Sequence, residues 1–245
     1  MKKLALFAIL GMAVSLIFAA EPLTALQIMN KMDDVLYAPK DKDMKVRFTL
    51  IEKDGRESAR DMVTLEKGAD KRFMKFTAPA DQKGIGFLSL LGEVMYIYLP
   101  AFGKTRRIAS SVKNGKFAGT DLTYENLEPK RYAENWNPEI AQENDTCWVL
   151  KLLPKPGSKS DYSYIKVTVR KDNFYSVFIS YFDKSGTECK TIARSRLEKI
   201  GKYWESRDML VTDLKTGHKT RLELLDVKFD SNLSDDLFTE RYLMR

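Results

Sequence analysis

Apolar and polar residues alternate along most of the chain, and this period of two restricts the possible folds to those rich in β-strands. The alternation is clearest at residues 44–50, whose even positions are all apolar: Met44, Val46, Phe48 and Leu50. Asp54-Gly55 gives a tight turn after this segment, and Val63 and Leu65 belong to its predicted partner strand. The pattern predicts neighbouring strands that run antiparallel.

Further strands follow the same pattern to the end of the chain. They are predicted at about 70–77, 86–91, 94–99, 131–141, 146–153, 162–170, 174–182, 188–197, 202–213 and 219–229. Helices are few: one begins at the capping box of Thr24 and Gln27, and a short one follows Ser234. The predicted fold class is therefore mainly β with a few helices (α+β).

Two strands indicate that the sheet is curved. In Thr220–Phe229 the apolar residues change from even to odd positions, as they do at a β-bulge. Phe174–Phe182 is apolar on both faces, which predicts a strand covered on both sides. We therefore predict one domain over residues 21–245, a single antiparallel sheet curled into a half-open barrel with helices against its concave face.

Residues 1–20 have the pattern of a secretory signal peptide. Lys2 and Lys3 precede Leu4–Ala20, a stretch that carries no charge and ends in small residues. Cleavage near Ala20 would export residues 21–245 and lower the formal charge from +7 to +5. An uncleaved membrane anchor is the alternative, because the apolar run is near the lower length limit for a spanning helix.

Cys147 and Cys189 are the two cysteines of the chain. An exported protein could pair them, but the predicted strands place them three strands apart. At about 4.8 Å per strand the separation is roughly 14 Å, whereas a disulfide needs Cα atoms about 5.5 Å apart. Two free cysteines are expected, unless the sheet bends sharply enough to bring them together.

The residues that catalysis and cofactor binding need are missing or scattered. His218 is the only histidine and lies in a predicted hairpin turn. One histidine and two separated cysteines do not match a zinc site, and Gly84-Ile85-Gly86 is too short for a dinucleotide fingerprint. We therefore predict no enzyme, no cofactor and no metal. Nucleic acid is not an expected partner, since the aromatic residues follow strand alternation.

A curled sheet with an apolar inner face can enclose a ligand cavity. Alternation predicts a set of inward-facing residues that would line it: Val46, Phe48, Leu50, Val63, Leu65, Met95, Ile97, Leu99, Ile165, Val167 and Val169. The alternative is a filled core, in which the same residues pack against one another.

Positive charge is concentrated beside this predicted cavity. No acidic residue lies between Glu93 and Asp121, a stretch that holds five cations: Lys104, Arg106, Arg107, Lys113 and Lys116. Cations bind phosphate and carboxylate groups, so we predict that this stretch forms the rim of the cavity and contacts lipid head groups or a partner. A solvated basic loop is the alternative.

A short helical pattern interrupts the strands after the basic stretch. Gly115 and Gly119 allow the backbone to reverse there. Thr120 or Asp121 can cap a helix over Leu122–Leu127. We predict that this helix is a lid over the cavity, with four apolar contact residues: Phe117, Leu122, Tyr124 and Leu127. A plain crossover between two halves of the sheet is the alternative.

Several short motifs, taken in order, resemble those of a known family. They are Tyr98-Leu99-Pro100-Ala101, Arg106-Arg107-Ile108, Phe117–Glu125, Cys147-Trp148-Val149-Leu150, Tyr181–Gly186, Lys190-Thr191, Lys215–Thr220 and Leu237–Glu240. On these motifs the chain resembles the LolA-like outer-membrane lipoprotein-sorting proteins, in the branch found beside resistance-nodulation-division (RND) type transporters. The resemblance implies a half-open β-barrel with a helical lid over an apolar cavity.

The resemblance also implies a function. A periplasmic carrier of this kind would hold the acyl chains of a lipoprotein or lipid in its cavity for transfer towards the outer membrane. An inner-membrane transporter or an outer-membrane acceptor would be its partner, and the protein would act as a monomer. The alternative is an interaction or regulatory module of the same fold that partners a membrane protein. A third interpretation, a lipid hydrolase, has no residue pattern to support it.

Overall fold

The computed structural model of the protein describes residues 21–158 and 160–245. The predicted signal peptide, residues 1–20, lies outside the described residues. Thirteen strands form one antiparallel sheet that has two free edges and does not close into a barrel. The predicted fold class, mainly β with a few helices, is confirmed.

The strands lie along the chain in the following order: β1 (Asp41–Ile51), β2 (Glu57–Lys67), β3 (Lys71–Ala78), β4 (Gly86–Leu90), β5 (Val94–Leu99), β6 (Lys104–Arg107), β7 (Trp136–Glu143), β8 (Cys147–Pro154), β9 (Tyr164–Arg170), β10 (Ser176–Phe182), β11 (Glu188–Ile200), β12 (Tyr203–Asp213) and β13 (Lys219–Phe229). The α-helices are α1 (Ala25–Leu36), α2 (Tyr124–Leu127), α3 (Tyr132–Asn135) and α4 (Glu240–Leu243). Three short 3-10 helices are Pro100–Phe102, Ser110–Val112 and Asp235–Leu237.

Two meanders meet in the middle of the sheet, whose order is β6-β5-β4-β3-β2-β1-β13-β12-β11-β10-β9-β8-β7. Because β1 pairs with β13, the strands β6 and β7 become the two edges. Residues 108–135, which we call the crossover segment, therefore join opposite edges. At about 4.8 Å per strand, a flat sheet of this width would separate its edges by about 58 Å.

The bulge that the change of parity predicts is confirmed. Lys45 of β1 pairs with Asp226, whereas the next residue, Val46, pairs with Leu224. Leu225 is thus the extra residue, and its side chain is 49% exposed. A bulge at the central strand pair increases the local twist and helps the sheet to curve.

Other parts of the chain cover both faces of the sheet, one of them more completely than the other. Its inner face, which we define as the face that contacts α1 and the crossover segment, carries the larger core cluster. α1 begins at Thr24, whose capping box with Gln27 is present as predicted, and packs Ile28, Met29 and Met32 inward. The outer face is covered locally, where the C-terminal residues pack on β2–β4 in a smaller cluster: Leu65, Phe73, Leu88, Phe238 and Leu243.

The prediction that Val63 and Leu65 face inward is wrong. Both lie in the outer cluster, while Val46 of the inner face pairs with Met62. A two-residue turn at Asp54-Gly55 would have paired even with odd positions. Instead Glu52 donates its backbone N–H to the carbonyl oxygen of Arg56, so the loop contains three residues and even positions pair with even. One added loop residue moves every side chain of β2 to the opposite face.

The prediction that the strand over Phe174–Phe182 is covered on both sides is also wrong. Phe178 is 38% exposed on the outer face. Phe182 stacks on Tyr164 of the neighbouring strand, with ring centroids 4.3 Å apart, and Lys166 lies over the same ring. Cross-strand contacts therefore cover part of this apolar face without a second layer.

The helix that was predicted to start at Leu122 begins later, at Tyr124. Thr123 is the N-cap of α2 and shares a capping box with Asn126, so neither Thr120 nor Asp121 caps this helix. Lys104–Arg107, predicted as part of a basic rim, forms the edge strand β6. The expectation for the cysteines is confirmed: Cys147 on β8 and Cys189 on β11 are three strands apart and free.

The aromatic packing of the crossover segment generates a first prediction. Phe117 is fully buried. The centroid of its ring lies 5.6 Å from the ring centroid of Phe76 and 5.9 Å from that of Phe87. We expect Phe117→Ala to lower the free energy of unfolding by about 3–5 kcal/mol, since it leaves a cavity among these rings. Phe102→Ala is the matched control: Phe102 is 59% exposed, so its loss should change stability by less than about 0.5 kcal/mol. Equal urea midpoints for the two variants would contradict the packing described here.

Candidate functional site

A cavity of about 290 Å³ lies between the inner face of the sheet and the elements that cross it. The sheet contributes residues from β1–β3 and β9–β13. The opposite wall comes from the end of α1, the crossover segment and Trp136. The volume of the cavity is close to the lower end of the range for ligand pockets, which is about 300–1,000 Å³.

One part of the cavity wall is apolar. It is formed by aliphatic, methionine and aromatic side chains: Leu36, Met44, Val46, Phe48, Met74, Leu122, Leu127, Trp136, Ile165, Ile192, Met209, Leu222 and Leu224. A surface of this kind favours hydrocarbon over water by about 25 cal/mol for each Å² that a ligand covers.

A second part of the wall carries charged side chains in pairs. Arg72 Nη2 lies 2.7 Å from Glu66 Oε1, and Lys42 Nζ lies 2.8 Å from Glu205 Oε2. Glu66 is the cross-strand neighbour of both Lys42 and Arg72, so the pairs form a belt across adjacent strands. The Tyr175 hydroxyl extends the belt by donating to Glu205 Oε1 over 3.1 Å.

Two members of the belt, Glu66 and Lys42, keep their charges at neutral pH. Burial by itself raises the pKa of Glu66, but the neighbouring Arg72 and Lys42 outweigh it and hold that pKa below its usual value. Burial likewise acts to lower the pKa of Lys42, and Glu205 and Glu66 raise it above its usual value. The cavity wall is therefore amphipathic, with paired charges beside a hydrocarbon surface.

Polar contacts hold the crossover segment over the cavity. Arg72 Nη1 donates to the carbonyl oxygen of Leu127 over 2.8 Å, and Lys190 Nζ donates to Asn126 Oδ1 over 2.8 Å. Tyr37 donates its hydroxyl to the carbonyl oxygen of Lys130 over 3.0 Å. These bonds fix the C-terminal half of α2 and the turn that follows it.

Two buried carboxylates anchor the segment farther from α2. Asp33 of α1 accepts hydrogen bonds from the backbone N–H groups of Tyr132 and Ala133, both over 3.0 Å. Burial raises the pKa of Asp33, although these two bonds act in the opposite direction. An ionised carboxylate at this position stabilises the start of α3, because it satisfies N–H groups that the helix leaves without partners.

The second anchor is Asp121, which is completely buried. It accepts a 2.8 Å hydrogen bond from the Thr220 hydroxyl and lies 2.6 Å from His218 Nδ1 and 2.9 Å from Lys116 Nζ. His218, predicted as a turn residue, is therefore also part of the attachment between the crossover segment and the β12–β13 hairpin. Lys116 continues the network to Asp213 over 2.8 Å.

The structure brings some of the predicted cavity and lid residues together. Those that line the cavity are Val46, Phe48, Ile165, Leu122 and Leu127. Others belong to the core cluster of the inner face and do not line the cavity: Leu50, Met95, Ile97, Val167, Val169, Phe117 and Tyr124. Leu99, at the end of β5, neither lines the cavity nor belongs to this core cluster. Val63 and Leu65 lie on the outer face.

The five predicted rim cations do not form one group. Lys113 is buried and lies 2.9 Å from Glu93 and 3.3 Å from Glu128. Lys116 is paired with two carboxylates, as described above. The remaining three lie on the edge strand β6 with exposed side chains: Lys104, Arg106 and Arg107.

Sequence reasoning missed the charged residues of the cavity wall. Lys42 continues the even-numbered series that faces inward from β1, so alternation could have placed it in the cavity. We missed Arg72, Arg194 and Glu205 because charged residues on a strand ordinarily indicate a solvated face.

Known structures share this fold over nearly the whole chain. An outer membrane lipoprotein-sorting protein domain from Vibrio parahaemolyticus is 25% identical, with a TM-score of 0.82, covering 90% of this chain and 98% of that one. A DUF1329 family protein from Desulfovibrio piger is 26% identical, with a TM-score of 0.84, covering 89% and 97%. A LolA superfamily protein from Nitrosomonas europaea is 19% identical and shows the fold alone, with a TM-score of 0.76 and coverage of 90% and 100%.

The chain therefore has the fold of the LolA-like, outer-membrane lipoprotein-sorting proteins. A family model described as uncharacterized-protein-like matches residues 68–245, which is more than half of the chain, and the chain belongs to that family. No curated protein sequence matches it. Within residues 21–158 and 160–245, no helix is long and apolar enough to cross a membrane.

Lys190 gives a prediction on pH. Its side chain is 7% exposed on the inner face, between the rings of Tyr162 and Tyr181, and burial lowers its pKa to about 8. The folded state thus releases this proton before the unfolded chain, in which the pKa is near the ordinary 10.5. Burial of the ammonium therefore lowers the free energy of unfolding by its full amount below pH 8. This destabilisation disappears as the pH rises from about 8 to 10, so the stability contributed by Lys190 increases there.

We expect carbon-13 NMR of the lysine Cε atoms to show one resonance that titrates near pH 8 and is absent from Lys190→Met. The control is Lys219→Met, which removes an exposed lysine of β13 and should leave that resonance unchanged. The difference in unfolding free energy between wild type and Lys190→Met should shift by up to about 1.4 kcal/mol per pH unit in this window. A Lys190 resonance that titrates above pH 10 would refute the prediction.

Proposed function

We propose that this protein is a non-enzymatic periplasmic carrier, which binds acyl chains of a lipoprotein or lipid in the cavity under the crossover segment. The observation that carries the proposal is the cavity itself, which has a hydrocarbon wall and is covered by a separately anchored segment. The resemblance to a lipoprotein-sorting protein domain supports export to the periplasm and transfer towards the outer membrane. A membrane partner would load or unload the cargo.

The energetics suit a carrier. Each methylene group of a chain gains about 0.8 kcal/mol when it leaves water for an apolar wall. A long chain is therefore held tightly by contacts that have no directional requirement. Movement of the covering segment removes part of that wall, so a partner that binds the open form can release the cargo.

Substitution of one cavity residue tests this proposal. Leu224 lines the cavity, whereas its neighbour Leu225 is the exposed bulge residue of the outer face. We expect protein purified from the periplasm of a host to carry an acyl lipid in native mass spectrometry. Leu224→Asp should reduce the bound fraction at least tenfold, because a carboxylate in the wall opposes burial of hydrocarbon. Leu225→Asp should retain the lipid.

Two outcomes would overturn the carrier proposal. One is a wild-type protein that stays free of lipid after incubation with extracted membrane lipids. The other is equal lipid binding by Leu224→Asp and Leu225→Asp, since the bound lipid would then lie outside the cavity. Thermal unfolding of both variants shows whether each is folded before the comparison is made.

A second candidate function is an interaction module, and the edge strand β6 favours it. In the part of the chain that the structure describes, β6 pairs only with β5, so the other side of its backbone can accept a further strand. Its exposed cations, Lys104, Arg106 and Arg107, would attract an anionic surface. Both the head groups of a membrane and an acidic segment of a membrane protein have the required charge.

Charge reversal tests this second function. We expect replacement of Lys104, Arg106 and Arg107 by Glu to weaken binding to vesicles of phosphatidylethanolamine with one-quarter phosphatidylglycerol. Each cation near such a surface contributes about 1 kcal/mol, so the loss should be at least tenfold. The control reverses three exposed cations of β13: Lys219, Arg221 and Lys228. Equal losses in both variants would show a non-specific charge effect, and loss of binding only to a polyglutamate peptide would identify an acidic partner.

A further inference from the structure

Arg194 differs from the other cations that line the cavity. It lies on β11 two residues after Ile192, so both side chains belong to the inner face and both line the cavity. Its Nη1 donates to the Ser176 hydroxyl over 2.6 Å and to the Ser176 carbonyl oxygen over 3.2 Å. These bonds hold one side of the guanidinium against the start of β10.

The other four cavity cations each have a carboxylate partner within 4 Å. Lys42 pairs with Glu205, Arg72 with Glu66 and Lys130 with Glu128, and Arg131 contacts Asp34. Within the described parts of the chain, residues 21–158 and 160–245, no carboxylate oxygen lies that close to Arg194. Glu205 also acts to raise the pKa of Arg194, but that carboxylate already bonds to Lys42 and to the Tyr175 hydroxyl.

Tyrosine side chains line the cavity together with this guanidinium. They include Tyr132, Tyr175 and Tyr181, and Tyr175 directly precedes Ser176, which accepts the hydrogen bonds of Arg194. Burial raises the pKa of Tyr132 and of Tyr181, so both hydroxyls stay protonated and can donate hydrogen bonds. A cation and neutral O–H donors beside an apolar wall suit an anionic acceptor, because a partly buried cation without a carboxylate partner is stabilised by an anion that joins it.

We propose that Arg194, with Tyr132 and Tyr181, binds the compact anionic head group of a single-chain amphiphile whose hydrocarbon tail covers the apolar wall. This inference rests on the proposed carrier function and narrows its substrate class to a fatty acid or a monoalkyl phosphate. The small volume of the cavity accords with one chain, and the bidentate geometry of a guanidinium matches either a carboxylate or a phosphate.

Titration calorimetry with ligands of equal chain length tests the head-group site. The ligands are dodecanoate, dodecyl phosphate, dodecanol and dodecylammonium, and the protein is the purified wild type. We expect at least one of the two anions to bind about tenfold or more tightly than dodecanol, because charge-assisted hydrogen bonds are the stronger kind. Dodecylammonium should bind most weakly. The anion with the higher affinity identifies the head group as carboxylate or phosphate.

Two variants locate the effect. Arg194→Gln should reduce the affinity for the preferred anion to that for dodecanol, while the affinity for dodecanol stays within about twofold of wild type. The matched control is Arg221→Gln, which removes an exposed arginine of the outer face and should keep the wild-type order of affinities. If Arg194→Gln does not fold, the order of affinities in the wild type decides the question without it.

The outcomes separate this inference from the carrier proposal. Equal binding of the anions and dodecanol by wild type, or an unchanged preference in folded Arg194→Gln, overturns the head-group site and leaves the carrier intact. Failure of all four ligands to bind overturns both, since the cavity would then not accept hydrocarbon.

Discussion

The path of the crossover segment is the constraint on which the rest of the structure depends. Because the first and last strands of the sheet pair with each other, β6 and β7 become opposite edges of a thirteen-stranded sheet. Their connection must pass over one face, and that face is the one that curvature makes concave. The sheet alone would expose its inner apolar side chains, and the connection covers them. A cavity arises where the two surfaces do not meet completely.

Buried polar groups determine where the crossover segment lies. An apolar contact such as the packing of Phe117 against Phe76 stabilises the segment but tolerates small shifts in position. The carboxylates of Asp33 and Asp121 do not tolerate such shifts. A completely buried carboxylate is unfavourable unless its hydrogen bonds are made. Each is satisfied in one arrangement, so together they fix the segment on either side of α2.

Alternation and turn residues were sufficient to predict the sheet, its bulge near Leu225 and the separation of the two cysteines, because these depend on neighbours in sequence. They failed where a single loop residue mattered, since the three-residue loop before Arg56 reversed the face of Val63 and Leu65. The prediction that the five cations of the basic stretch form one rim was wrong for a different reason. Lys116 meets its partner Asp213 only after the chain has folded across 97 positions, and no local pattern indicates such a contact.

The strength of the anchors indicates which part of the crossover segment can move. Around α2 the segment is attached by a few hydrogen bonds, such as those from Arg72 to Leu127 and from Lys190 to Asn126. Because their donors are charged, each contributes about 1.5–3 kcal/mol net, which is close to the gain from burying about two to four methylene groups. A chain of several methylenes can therefore offset the loss of these bonds. The stacked rings and the Asp121 network are costlier to break, so we expect α2 to move while the segment near Phe117 stays in place.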